Sequence, residues 1–145
     1  MNLKKPNGKI KLKNLFMKIK KYHKKKFKVY KQPMSSLEIK INDYLISVNA
    51  PFIYGGDNSF CIEAHYPDWY NIKDKKIILA SGCFYHGCVL CHSSEKYRKL
   101  IQKRYIKSCK TTARYVNAGW KVLEIWEHEL KDGNWKDRID KFLQS

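Results

Sequence analysis

The chain has no apolar run long enough to cross a bilayer. Its apolar stretches end after a handful of residues, as at Ile77-Ile78-Leu79-Ala80, whereas a spanning helix needs about 20. No apolar segment follows the first lysines, so the sequence predicts no secretory leader. Acidic residues are scarce: thirteen Asp and Glu stand against thirty Lys and Arg, a formal net charge of +17. Residues 1–31 hold thirteen lysines and no acid, which leaves the other 114 residues at a net +4. Internal repeats are absent too. With 145 residues, 43% apolar and 30% charged, the composition is that of one globular domain and excludes wholesale disorder. A chain of this length buries roughly two-thirds of its unfolded surface and needs no disulfide staples.

The charge divides the chain into a basic arm, 1–31, and a near-neutral domain, 32–145. A lysine-rich arm without acids attracts polyanions, phosphate backbones first among them. On its own such a segment is expected to be flexible. It shows no sustained amphipathic stripe with large apolar anchors, so an anionic membrane surface ranks below nucleic acid.

Within the domain, Ser35-Ser36-Leu37-Glu38 is a capping-box pattern. It predicts a helix to about Val48 with Leu37, Ile41, Tyr44, Leu45 and Val48 on one face. Asn49-Ala50-Pro51 ends it, and Gly55-Gly56-Asp57-Asn58 is a turn. Phe60, Ile62 and Ala64 alternate with Cys61, Glu63 and His65, which predicts a strand before Pro67-Asp68. A second, central strand is expected over 75–80, then an irregular Cys/His-rich loop over 81–92. A long basic helix runs from about Ser94 to Asn117, stopped by Gly119. Trp120–Trp126 reads as the last strand and 135–143 as a closing helix. This order predicts an α/β domain, a small mixed central sheet flanked by helices.

Cys83, Cys88 and Cys91 fall within nine residues, beside His92 and ahead of His128. Without a secretory leader, a reducing cytosol favours metal ligation over disulfides. Three thiolates and an imidazole suit a closed, structural zinc site. The fourth ligand is His128 or His92; His128 would tie the loop to the sheet. Cys61 and Cys109 lack such neighbours and read as core or surface thiols. The basic helix carries Lys96, Arg98, Lys99, Lys103, Arg104, Lys107, Lys110 and Arg114, and no acid lies between Glu95 and Glu124. That is a phosphate track more than an ordinary solvated helix.

Gly82-Cys83-Phe84-Tyr85-His86, followed by Gly119-Trp120 and the strand to Trp126-Glu127, resembles the very short patch repair (Vsr) endonucleases and the Vsr-like homing endonucleases. Pro67-Asp68 stands fifteen residues before Cys83, as the family's Pro-Asp stands before its first zinc cysteine, Glu38 opens a helix in the right place, and Tyr97 falls near a family aromatic. The resemblance spans about residues 34–130. It implies a restriction-endonuclease-like fold related to the PD-(D/E)xK enzymes, with a structural zinc loop. It also implies catalytic magnesium held by Asp68 and the backbone carbonyl of Ala80. His86 would be the general acid/base and Glu38 would hold water or orient the site. Cys83, Cys88, Cys91 and His128 would ligate zinc, while Phe84, Tyr85 and Tyr97 would wedge into the base stack. The bases Lys103, Arg104 and Lys107 would follow phosphates. Two positions depart from the pattern: Ser81 stands where the family has a histidine after the metal-binding strand, and Ser108 where an acid is often found on the long helix.

The expectation is a magnesium-dependent DNA endonuclease that cuts or nicks duplex DNA as a monomer. It would act in the cytoplasm, at the nucleoid or as a phage-encoded protein. The arm and the two departures favour a homing enzyme of a mobile element over T:G mismatch nicking in very short patch repair. Two other readings are a non-catalytic, zinc-stabilised nucleic-acid binder such as a ribosome-associated protein, and a nuclease fold that has lost activity. Convergence of Glu38, Asp68 and His86 on one point would separate nuclease from binder.

Overall fold

The computed structural model describes residues 33–145. The basic arm, 1–31, lies outside the described residues, so its expected flexibility and DNA contacts are not addressed by the fold. No helix among the described residues is long and apolar enough to cross a membrane.

Helix α1, Ser36–Ser47, begins at the predicted capping box. The Ser35 hydroxyl accepts from the Glu38 N–H at 3.2 Å, and Glu38 Oε2 accepts from the Ser35 N–H at 2.7 Å. Two of the donors left open at the helix start are thereby satisfied. Leu37, Ile41 and Leu45 are buried at one-turn spacing. Val48 is not part of that face: it is the exposed C-cap, because Asn49 turns left-handed (φ 50°) and ends the helix one residue early.

Four strands follow: β1 Ile53–Tyr54, β2 Trp69–Asn71, β3 Lys76–Ser81 and β4 Lys121–Trp126. The sheet order is β1-β2-β3-β4, antiparallel between the first three and parallel between β3 and β4. The strand expected over 59–65 does not form. Glu63 and Ala64 both have positive φ (49° and 64°), so Ile62 and His65 pair across a two-residue turn. Left-handed backbone at two successive residues breaks the extended conformation that the alternating pattern implied. The strands that pair instead are short, and β2 starts at Trp69, after the interruption at Pro67-Asp68.

The loop after β3 contains one helical turn, α2 Cys83–His86. A 3-10 turn, Glu95–Tyr97, leads into the long helix α3, Arg98–Asn117, whose end is marked by left-handed Gly119 (φ 84°). After β4 come the short α4, Glu129–Asp132, and the closing α5, Trp135–Gln144.

Alternate strand residues feed two cores, as the pleat requires. On one face Trp69, Ile78 and Ile125 meet Ile41 and Leu45 of α1 and Trp135 and Ile139 of α5. On the other, Tyr70 and Ile77 pack with Ile62 and with Tyr115 of α3. The result is an α/β layered domain with a small mixed sheet. Lys76, at the start of β3, is buried and spends its ammonium on the carbonyls of Phe142 and Leu143, each at 2.9 Å. The opposite, C-terminal end of β3 is where the candidate chemistry gathers.

Candidate active site and metal centre

Pro67-Asp68 leads into β2 and is fixed by β1's exit. The Gly55 N–H donates to the Asp68 carbonyl at 2.7 Å, and a Cβ at Gly55 would come within 2.6 Å of the Pro67 carbonyl oxygen. Only glycine allows that approach. The Asp68 carboxylate accepts from the Ala80 N–H of neighbouring β3 at 2.7 Å. It borders a cavity of about 360 Å³ whose wall includes Ala80, Ser81, His86, Lys107, Ser108 and Tyr115. Arg104, Tyr85 and Thr112 complete the rim that matters here. Burial pushes the Asp68 carboxyl up to about 7, opposed by the Ala80 N–H and reinforced by the charges of Glu38 and Glu124. His86 is held below the usual histidine range, chiefly by burial and also by Lys107, with Glu124 opposing. It is therefore a neutral imidazole near pH 7, able to accept a proton.

Asp68, Ala80 and His86 thus meet at one cavity, and Glu38 does not line it. The Glu38 carboxylate is occupied by its own cap at Oε2 and by the Tyr54 hydroxyl, which donates to Oε1 at 3.0 Å. It acts on Asp68 through its charge alone. Ser81 and Ser108, the two departures, both lie in the wall and both donate to Glu124 Oε1 on β4. Glu124 lies within the Gly119–Glu127 stretch that carries the resemblance, but the resemblance assigns it no role. Glu127 closes the same stretch, likewise without an assigned role; its Oε2 accepts from the Cys83 N–H at 3.0 Å and braces the cysteine loop against the end of β4.

Cys83, Cys88, Cys91 and His128 form the one metal-ligand cluster among the described residues, with ligand atoms all within 4.8 Å of one another. Cys83 Sγ is 3.2 Å and Cys88 Sγ 3.6 Å from His128 Nδ1. Ligands around a tetrahedral zinc are about 3.5–3.8 Å apart, given metal–ligand bonds of about 2.0–2.3 Å. The spacing fits a metal ion. His92, the other candidate, packs its ring edge-on against Phe84 at 5.4 Å and stays outside the cluster. Burial pushes the Cys83 and Cys91 thiols upward, so a metal would have to displace their protons.

The loop's shape depends on Gly87 (φ 79°), which closes α2 in the left-handed region. A Cβ there would lie 2.3 Å from the Ile101 carbonyl oxygen and 2.4 Å from the Tyr105 nitrogen. The loop therefore sits directly on the backbone of α3.

Phe84 and Tyr85 project from α2, not from an extended segment, and helical spacing leaves both exposed, Tyr85 to 77%. Phe84 contacts Tyr85 and Tyr97 edge-on at 5.7 and 6.4 Å, so all three predicted wedge residues form one aromatic cluster. Arg104 stacks its guanidinium 4.3 Å over Phe84 and donates to the Phe84 carbonyl at 2.9 Å. It stiffens the aromatic turn as well as bordering the cavity. Lys107 faces the cavity, whereas Lys103 is exposed and does not line it. Thr112 Oγ1 is buried in the wall without a hydrogen-bond partner. Compared with protein-family models and with curated proteins, the chain matches none.

Proposed function

We propose that this protein is a magnesium-dependent DNA endonuclease of the Vsr-like kind, with a structural zinc in the Cys83–Cys88–Cys91–His128 cluster. The observation that carries the reading is the shared cavity of Asp68, Ala80 and His86, bordered by Lys107, Arg104 and exposed aromatics. Of the three residues whose convergence separates a nuclease from a binder, Asp68 and His86 share this cleft and Glu38 stands outside it. The reading therefore rests on that pair: a buried carboxylate beside an imidazole in one basic cleft. The sheet, two antiparallel pairings followed by a parallel one, is compatible with the restriction-endonuclease-like fold.

Asp68, with the Ala80 carbonyl, would hold the magnesium. An ion bound there would supply charge stabilisation to the phosphodiester and a lowered pKa to a bound water. His86 takes a proton from the attacking water or returns one to the leaving oxygen. Lys107 and Arg104 attract the phosphates, and Thr112 offers a hydroxyl to one of their oxygens. Tyr85, with Phe84 and Tyr97 behind it, fits a stacking role against unstacked bases. Zinc would hold α2 in place and take no part in the chemistry. Cleavage at a mobile-element site is favoured over mismatch nicking, on the strength of the lysine-rich arm and of Ser81 and Ser108.

The test is a nicking assay on supercoiled plasmid and on a T:G-mismatched duplex, with magnesium or EDTA, beside Asp68→Ala. Metal-dependent cutting lost in the variant is expected. Tight binding of DNA with no cutting of any substrate would overturn the enzyme reading in favour of a zinc-stabilised binder. Preferential cutting of the mismatch would move the assignment to patch repair.

A further inference from the structure

A line of hydrogen bonds crosses the cavity wall that the steps above leave unused. Glu124 lies in the middle of β4, paired in register with Leu79 of β3. Its Oε1 accepts from the Ser81 hydroxyl at the end of β3 and from the Ser108 hydroxyl on α3, the latter at 3.4 Å. Ser108 Oγ in turn stands 3.4 Å from His86 Nδ1. Two strands, the long helix and the cysteine loop each supply one member. Three regions distant in sequence, Ser81–His86, Ser108 and Glu124, thus converge on a single polar thread.

The direction of that thread follows from what each group can donate. A carboxylate only accepts. Ser108 has one hydroxyl proton, and the carboxylate claims it as the stronger acceptor. The Ser108 oxygen is then left as an acceptor toward His86, so Nδ1 must carry the ring proton. Ser81 donates to the same oxygen of Glu124 and holds that carboxylate in place from the other side. Links of 3.4 Å are long, as contacts around a catalytic base often are before substrate tightens them.

We infer that Glu124 is a positioning residue for His86, acting through Ser108 to fix the imidazole as its Nδ1–H tautomer and to leave Nε2 as the proton acceptor. The role in cleavage rests on the endonuclease reading; the tautomer does not. Ser81 and Ser108 are then connectors to a carboxylate on a different element, and not vacancies in the site. A histidine free in water favours the Nε2–H form, so the Nδ1–H form is a signature of an imposed partner.

Long-range proton–nitrogen correlation spectra of the nitrogen-15-labelled full chain report the His86 tautomer directly. The wild-type protein is expected to show Nδ1–H. Ser108→Ala and Glu124→Ala should each shift the ring toward Nε2–H. Ser108→Asp added to Glu124→Ala, which moves the carboxylate onto α3, should restore Nδ1–H. In the plasmid assay both single variants should lose roughly 100-fold in nicking rate, and the double variant should regain most of it. Ser108→Ala puts the best helix former into α3, so it tests the thread even where Glu124→Ala fails to fold. An Nε2–H wild type, or a tautomer unmoved by Ser108→Ala, would overturn the inference whatever the cutting activity. A tautomer that moves as expected in a protein that never cuts would support the thread and defeat the endonuclease reading instead.

Discussion

Asp68 costs the fold stability for as long as it has no cation. Its carboxyl titrates near 7 in the folded chain against about 4 when unfolded. The raised value means that the folded state prefers the protonated form. That preference is fully present below about pH 4 and is lost as pH rises through 7. The metal-free protein should therefore melt at lower temperature at pH 8 than at pH 5. Asp68→Asn should flatten that dependence and raise the pH 8 melting temperature, and millimolar magnesium should do the same for the wild type. Unchanged melting curves for the variant would remove Asp68 as the source. At the same scale, Gly87→Ala should lower stability by more than about 1 kcal/mol, since it needs both a left-handed Ala and a shift of the α3 backbone. Thermal melts of the two proteins, with metal content measured alongside, check this.

Among the elements, α1 and the cysteine loop make contrasting predictions. Ser35→Ala removes one half of the capping box and should cost about 1 kcal/mol in a urea melt. It also loosens Glu38, whose other oxygen holds Tyr54. If the Cys83–Cys88–Cys91–His128 cluster holds zinc as proposed, the wild type should carry about one atom per chain and Cys83→Ser near none, with fraying of α2 and its aromatic cluster before the sheet. Full zinc occupancy in that variant would refute the ligand set. Both features are legible in the sequence because each is local: a cap spans four residues, and three cysteines share one loop. The segment 59–65 misleads for a matching reason. A short period-2 pattern cannot distinguish a strand from a tight turn between Ile62 and His65, and only the backbone of Glu63 and Ala64 decides. The role of Glu124 is illegible because its two hydrogen-bond partners, Ser81 and Ser108, come from two other elements. Nothing within its own strand distinguishes it from a solvated residue.

For the whole molecule, charge matters most. The excess of lysine over acid in residues 1–31 predicts that deleting them weakens DNA binding and flattens its dependence on salt. The slope of log K against log salt should fall by about 0.9 for each phosphate contact removed. An identical slope for the shortened protein would mean that the arm touches no phosphates. The described residues carry two cores of their own, drawn from 37–143, and a shortened protein is expected to keep a cooperative thermal melt.

Gly87 sets a register as well as a turn. Because its Cα rests on the Ile101 carbonyl and the Tyr105 amide, helix α3 cannot slide along its axis past the cysteine loop. One residue of slip is about 1.5 Å and a rotation of about 100°, which would carry Ser108 out of reach of His86 and turn Lys107 away from the cavity. This contact works like the index notch on a dial: it lets the cysteine loop and a helix shaped by its own hydrogen bonds agree on a single alignment. Insertions should accordingly be tolerated before Ser94 or after Asn117, and never between Gly87's seat on the helix and Ser108.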